Sequence, residues 1–113
     1  MDANEDYMLD VEAHTWFLKG NSLLRLGNYD DARDCYGESL KVNSANADTW
    51  LNKGICFHNL EKYDEAITCY EKALEIDPNL AKAWHAKGLS LDKLGASDTQ
   101  KYFDKAKELG FEI

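Results

Sequence analysis

Three histidines (His14, His58, His85) and three cysteines (Cys35, Cys56, Cys69) are the side chains in this 113-residue chain best suited to metal binding or nucleophilic chemistry. Their spacing opposes both. Cys56 and His58 are two positions apart, so on a helix they point to different sides. There is no C-x-x-C pair, H-E-x-x-H run, phosphate-binding glycine loop or nucleophile elbow. The many acids fit solvated helix faces better than general acid–base pairs. No catalytic residue, metal ligand or cofactor site is expected. What remains are amides, bases and apolar groups able to grip another molecule without reacting with it.

The elements that position them repeat. Trp-x-x-Lys-Gly occurs at Trp16–Gly20, Trp50–Gly54 and Trp84–Gly88, each copy 34 residues after the last. Leu23, Phe57 and Leu91 follow three places past the glycines, and Leu26, Leu60 and Leu94 three places later. Tyr29, Ala32 and Tyr36 recur as Tyr63, Ala66 and Tyr70. The pattern predicts paired helices at roughly 13–26 and 30–43, 47–60 and 64–76, 81–94 and 98–109, with Asn46 capping the third and Pro78 following the fourth. The short turns between them force antiparallel neighbours. Gly20, Gly54 and Gly88 fall inside helices, where each costs about 1 kcal/mol relative to alanine. Their common register is explained if a partner helix must approach closely. Ala32, Ala66 and Ala73 serve that approach, and the tryptophans fill the wider gaps.

A 34-residue period with this alternation of large and small residues resembles the tetratricopeptide repeat (TPR) family, whose unit is a helix–turn–helix. The Trp-x-x-Lys-Gly wording is similar to that of prokaryotic, archaeal-type members. The resemblance implies an all-α fold: a right-handed α-solenoid of three helix–turn–helix units, six antiparallel helices in all. The units span 13–46, 47–80 and 81–113, after an acidic tail at 1–12. In such an array His58 and His85 differ by seven places in register, roughly 10 Å, too far to share a metal. Cys35 and Cys69 occupy equivalent places about 10 Å apart, beyond disulfide reach, and are expected as reduced, buried thiols. Lys107 stands where Leu40 and Leu74 stood, a polar replacement expected on the last helix of an array. Phe111 and Ile113 are left to cover the terminal face.

Composition narrows the function. A 44% hydrophobic content can fill a core, while a formal charge of −8 without a long basic stripe opposes nucleic-acid binding. No apolar run approaches a membrane span, and the acidic start MDANEDYMLDVE lacks a signal peptide's basic region. A cytoplasmic location is expected. Residues 1–12 hold five acids and no Lys or Arg, which reads as a frayed, solvated tail. A second reading has it folding over the binding surface as a competitor.

In the TPR family the first helices line a concave groove that binds a peptide segment of a partner. The resemblance implies an inner face of His14, Phe17, Leu18, Asn21 and Arg25 in the first repeat. Asp48, Leu51, Asn52, Ile55, His58 and Asn59 follow in the second, and Lys82, His85, Ala86, Leu89, Asp92 and Lys93 in the third. The expected first helices carry six bases and two acids, a net of +4 within a chain of −8, which favours acidic ligands. One TPR subclass clamps a partner's C-terminal carboxylate. Asn21, Asn52 and Lys82 match its pattern, but Phe17 and Ala86 replace two of its cations, so apolar anchoring is the better expectation. The chain is thus expected to be a non-catalytic protein-interaction module whose partner is a protein or peptide with apolar anchors and some acidic character. The alternative is a structural role, a homo-oligomer stacking through its terminal faces.

Overall fold

In a computed structural model that describes residues 3–112, the chain forms six helices: α1 (Ala3–Arg25), α2 (Tyr29–Val42), α3 (Ala47–Asn59), α4 (Tyr63–Ile76), α5 (Ala81–Lys93) and α6 (Gln100–Glu108). Each packs against its sequence neighbours. Among the second helices no two touch, whereas α3 contacts both α1 and α5. The array therefore curves with α1, α3 and α5 inside and α2, α4 and α6 outside. Asn46 caps α3 as expected, its side chain accepting from the Thr49 amide at 3.2 Å.

The repeated glycines have a specific cause. A Cβ on Gly54 would lie 2.4 Å from the Tyr70 ring and 3.1 Å from the Ala66 carbonyl oxygen. Gly20 meets Tyr36 at 2.6 Å and Gly88 meets Phe103 at 2.7 Å in the same way. Each second helix thus sets an aromatic ring against the glycine of the first. Tyr36 and Tyr70 are fully buried, and around them gather Ala32, Cys56 and Phe17, or Leu51, Ala66, Ala73 and Ala83. Trp50 and Trp84 tie in the inter-repeat turns, their indole N–H groups donating at 2.9 Å to the carbonyls of Ser44 and Pro78.

The first helices end in a shared turn. The amides of Gly27 and Asn28 donate to the Leu24 and Leu23 carbonyls, and those of Glu61 and Lys62 to His58 and Phe57 in the same pattern. That turn needs a left-handed residue. Gly27 and Gly95 supply it at φ 77° and 78°, but the second repeat uses Glu61 at φ 61°. Glu61→Gly should therefore stabilise the protein by about 0.5–1 kcal/mol, read as a raised urea midpoint at unchanged slope.

Two expectations about helix extent need correction. The acidic segment, expected as a frayed tail, is helical from Ala3, so α1 runs 23 residues. No glycine or proline interrupts residues 3–19, Glu5 and Asp6 sit favourably in the first turn, and Met8, Leu9 and Val11 recur at helical spacing. This part of the chain continues the axis of α1 and does not fold back over the inner face. It also removes the charge excess: α1, α3 and α5 as observed hold six bases and six acids. At the other end α6 starts at Gln100 rather than 98, because Asp98 adopts φ 63°, outside helical space. Ile113 lies outside the described residues.

Candidate functional site

The inner face holds a closed-in apolar cleft between α3 and α5. Leu51, Ile55, His58 and Asn59 form one wall, and Lys82, His85, Ala86 and Leu89 the other, enclosing about 330 Å³. Tyr70 from α4 provides the floor and Phe111 closes one end. Leu51, only 3% exposed, belongs to the core and contributes floor, whereas Leu89 is 42% exposed and offers its side chain outward. Eight residues that the family resemblance places on the inner face thus meet in one cleft.

Tyr70 and Phe111 were not among them. Tyr70 belongs to the buried core, and its ring is also wide enough to reach between the first helices. Phe111 was expected on the terminal face. Instead Gly110, at φ 101°, turns the chain back after α6, and the Phe111 amide donates to the Ala106 carbonyl at 2.9 Å. The ring then stacks on His85 with centroids 4.2 Å apart, while Phe103 packs against the same imidazole at 5.2 Å. A glycine just past a helix end was the available signal for that reversal.

The polar groups of the cleft are partly committed. His58 Nδ1 and the Oγ of buried Ser90 are hydrogen-bonded at 2.8 Å. Burial, and secondarily the charge of Lys93, hold the His58 pKa below the ordinary 6.5. A folded-state pKa below the unfolded one means that stability is full above pH 6.5 and falls as pH drops through the folded midpoint. An NMR titration should therefore place the His58 midpoint below 6.5, with thermal stability declining over the same acid range. Asn59 turns its amide onto its own helix, donating to the Ile55 carbonyl at 2.8 Å. Lys82 and Lys93 stand exposed beside the cleft and enter no ion pair among the described residues. Asp92, also exposed, accepts a hydrogen bond from the Thr99 hydroxyl.

The first repeat contributes differently. Asn21 Oδ1 accepts both the Tyr36 hydroxyl, at 2.6 Å, and the Asn52 amide, at 3.0 Å. The two asparagines that match the clamp pattern thus hold each other, tying α1 to α3 above a buried phenol. Phe17 is half-buried against His14 and Tyr36, at centroid distances of 6.0 and 6.1 Å. Leu18, Arg25 and Asp48 are exposed, with Leu18 at 51%. The recurring lysines do not face the cleft: Lys19 and Lys53 lie over the Trp16 and Trp50 rings, and Lys87 lies over Tyr102 and pairs with Glu71 at 3.7 Å.

Among the described residues, no three His, Cys, Asp or Glu side chains are placed to share a metal. Cys35, Cys56 and Cys69 are buried free thiols, and burial pushes Cys56 up to about 12 and Cys69 to about 11, leaving almost no thiolate near neutrality. Among the described residues no helix is long and apolar enough to cross a membrane.

Comparison with known proteins adds a family. Models described as tetratricopeptide repeat match residues 13–46, 47–80 and 69–102, the last overlapping the second and running from α4 into α6. Comparison with curated proteins gives no match. Among solved structures, a crystal structure of MamA superposes with a TM-score of 0.82 at 27% identity, covering 87% of this chain and 58% of that one. The chain thus spans little over half of MamA. The Arabidopsis OM64 TPR domain gives 0.88 at 25% identity, covering 90% of this chain and 85% of that one. The first TPR of Spaghetti (RPAP3), bound to the HSP90 peptide SRMEEVD, gives 0.85 at 24%, covering 89% and 81%.

Proposed function

Since the chain belongs to the tetratricopeptide repeat family, whose members are protein-interaction modules, we propose that it is a non-catalytic module holding a partner's peptide in the groove of α1, α3 and α5. The observation that carries this reading is the apolar cleft between α3 and α5, open to solvent at Leu89 and walled by Ile55, Ala86 and Phe111. A pocket of about 330 Å³ suits one or two apolar side chains. Lys82 at its edge and Lys93 nearby favour an acidic residue next to the anchor. The repeat units are 13–46, 47–80 and 81–113.

The acidic HSP90 peptide carried by the Spaghetti TPR is consistent with such a ligand class. The anchoring here differs from a carboxylate clamp. Phe17 and Ala86 supply no charge, and Asn21 and Asn52 are bonded to each other. Internal apolar–acidic segments should therefore bind as well as C-terminal ones. Peptides identical except for a free or amidated C-terminus, in acidic and basic sets, test this at low and moderate salt, with Asn52→Ala as the groove variant. Acidic peptides should bind best, with little effect of amidation. A strong preference for the free carboxylate, weakened by Asn52→Ala, would overturn the apolar-anchor reading and restore a clamp; no binding by any set would overturn the groove assignment.

A further inference from the structure

α2 covers α3 and α4 covers α5, each on the side facing the preceding repeat. Among the described residues nothing covers that side of α1, which contacts only α2 and α3. Met8 and Val11 stand there 63% and 43% exposed, and with half-buried Leu9 and Trp16 they line one open apolar face. Positions 8, 11, 12, 15 and 16 follow the three- and four-residue spacing of a helix–helix seam.

The tryptophans give independent support. The indole N–H groups of Trp50 and Trp84 each donate to a carbonyl of the turn before their helix. That of Trp16 has no acceptor among the described residues. The first repeat thus presents the apolar seam and the donor that the later repeats use to bind the helix and turn before them.

Charge selects the occupant. Residues 1–18 include no Lys or Arg, and the two acids Glu5 and Glu12 line the face itself. Glu12 enters no ion pair among the described residues. A second copy packed symmetrically through α1 would set these two acids against their own counterparts. The outer face of α6, where another copy would stack head to tail, interrupts Phe103 and Phe111 with Gln100, Asp104 and Lys107.

We propose that this face of α1 is a second docking surface, separate from the groove, for a basic amphipathic helix of another protein. Its apolar side chains lie on Met8, Val11 and Trp16, its Lys or Arg residues oppose Glu5 and Glu12, and a carbonyl at its end accepts the Trp16 N–H. This does not depend on the groove reading.

Two helical peptides of roughly 18 residues test it, sharing one leucine face but flanked by Lys in one and Glu in the other. Titrated against the full chain by fluorescence anisotropy, the Lys peptide should bind at least about tenfold more tightly, and lose most of that advantage at high salt. Met8→Gln with Val11→Gln should abolish binding without shifting thermal unfolding, since both side chains are exposed. Leu89→Asp, in the groove, should leave it unchanged. Equal binding of the two peptides, binding that survives the double substitution, or no binding at millimolar peptide would each overturn the proposal. So would a dimer by light scattering that the double substitution dissociates, which would assign the face to a second copy.

Discussion

Tyr70→Ala should cost about 3–5 kcal/mol, enough to leave the protein marginal or unfolded at 37 °C, where a domain of this size holds about 5–15 kcal/mol. The ring is 1% exposed and contacts both Gly54 and the core of Leu51, Ala66, Ala73 and Ala83. Its removal opens a cavity between α3 and α4 that neither backbone can close without breaking its other contacts. Gly54→Ala attacks the same contact from the opposite side. The new Cβ would sit 2.4 Å from Tyr70, and the Ala66 carbonyl at 3.1 Å prevents escape along the helix. It should cost about 1–3 kcal/mol despite alanine's better helix propensity. The double variant provides the check, because in it the added methyl occupies part of the void. Its cost should fall short of the summed single costs by about 1 kcal/mol or more. Additive costs in urea unfolding would mean that glycine and ring do not share one contact.

Leu89→Asp should abolish peptide binding, weakening it at least about tenfold, while leaving stability within about 0.5 kcal/mol. The side chain is 42% exposed at the cleft mouth and is not part of the buried clusters, so the fold loses little. An aspartate there would place a charge in an apolar pocket and repel the acidic flank of the ligand. Isothermal titration and thermal unfolding of the same preparation separate the two effects. A variant that binds normally would move the anchor elsewhere; one that unfolds would show Leu89 to be structural.

Most of the fold was legible because the repeat forces it. Glycines recurring at one helical register signalled a close contact, expected to be met by Ala32, Ala66 and Ala73; the groups that fill it are the rings of Tyr36, Tyr70 and Phe103. The acidic N-terminal segment was misjudged because charge outweighed pattern. Met8, Leu9 and Val11 continue the helix of Trp16, and acids in a first turn stabilise a helix rather than fray it. That single change also cancelled the positive charge expected of the inner layer. Placement of side chains on the inner face came from the family resemblance, which named eight of the residues that line the cleft of α3 and α5. What they do with their polar atoms could not be named in advance. The Asn21–Asn52 bond depends on how closely α1 approaches α3, the His58–Ser90 bond on α3 and α5, and the Phe111 reversal on a loop conformation. None of these has a sequence period.

The central claim is that a peptide lies on α1, α3 and α5, and amide chemical-shift mapping of the labelled protein tests it most directly. Titration with an acidic, apolar-anchored peptide should perturb Ile55, His58, Lys82, Ala86 and Leu89 together, with smaller changes toward Asn52 and Asn21. The exposed outer positions of α2 and α4, such as Asp34 and Lys72, should stay still. Perturbations confined to those outer helices, or to the ends of the stack, would contradict the account.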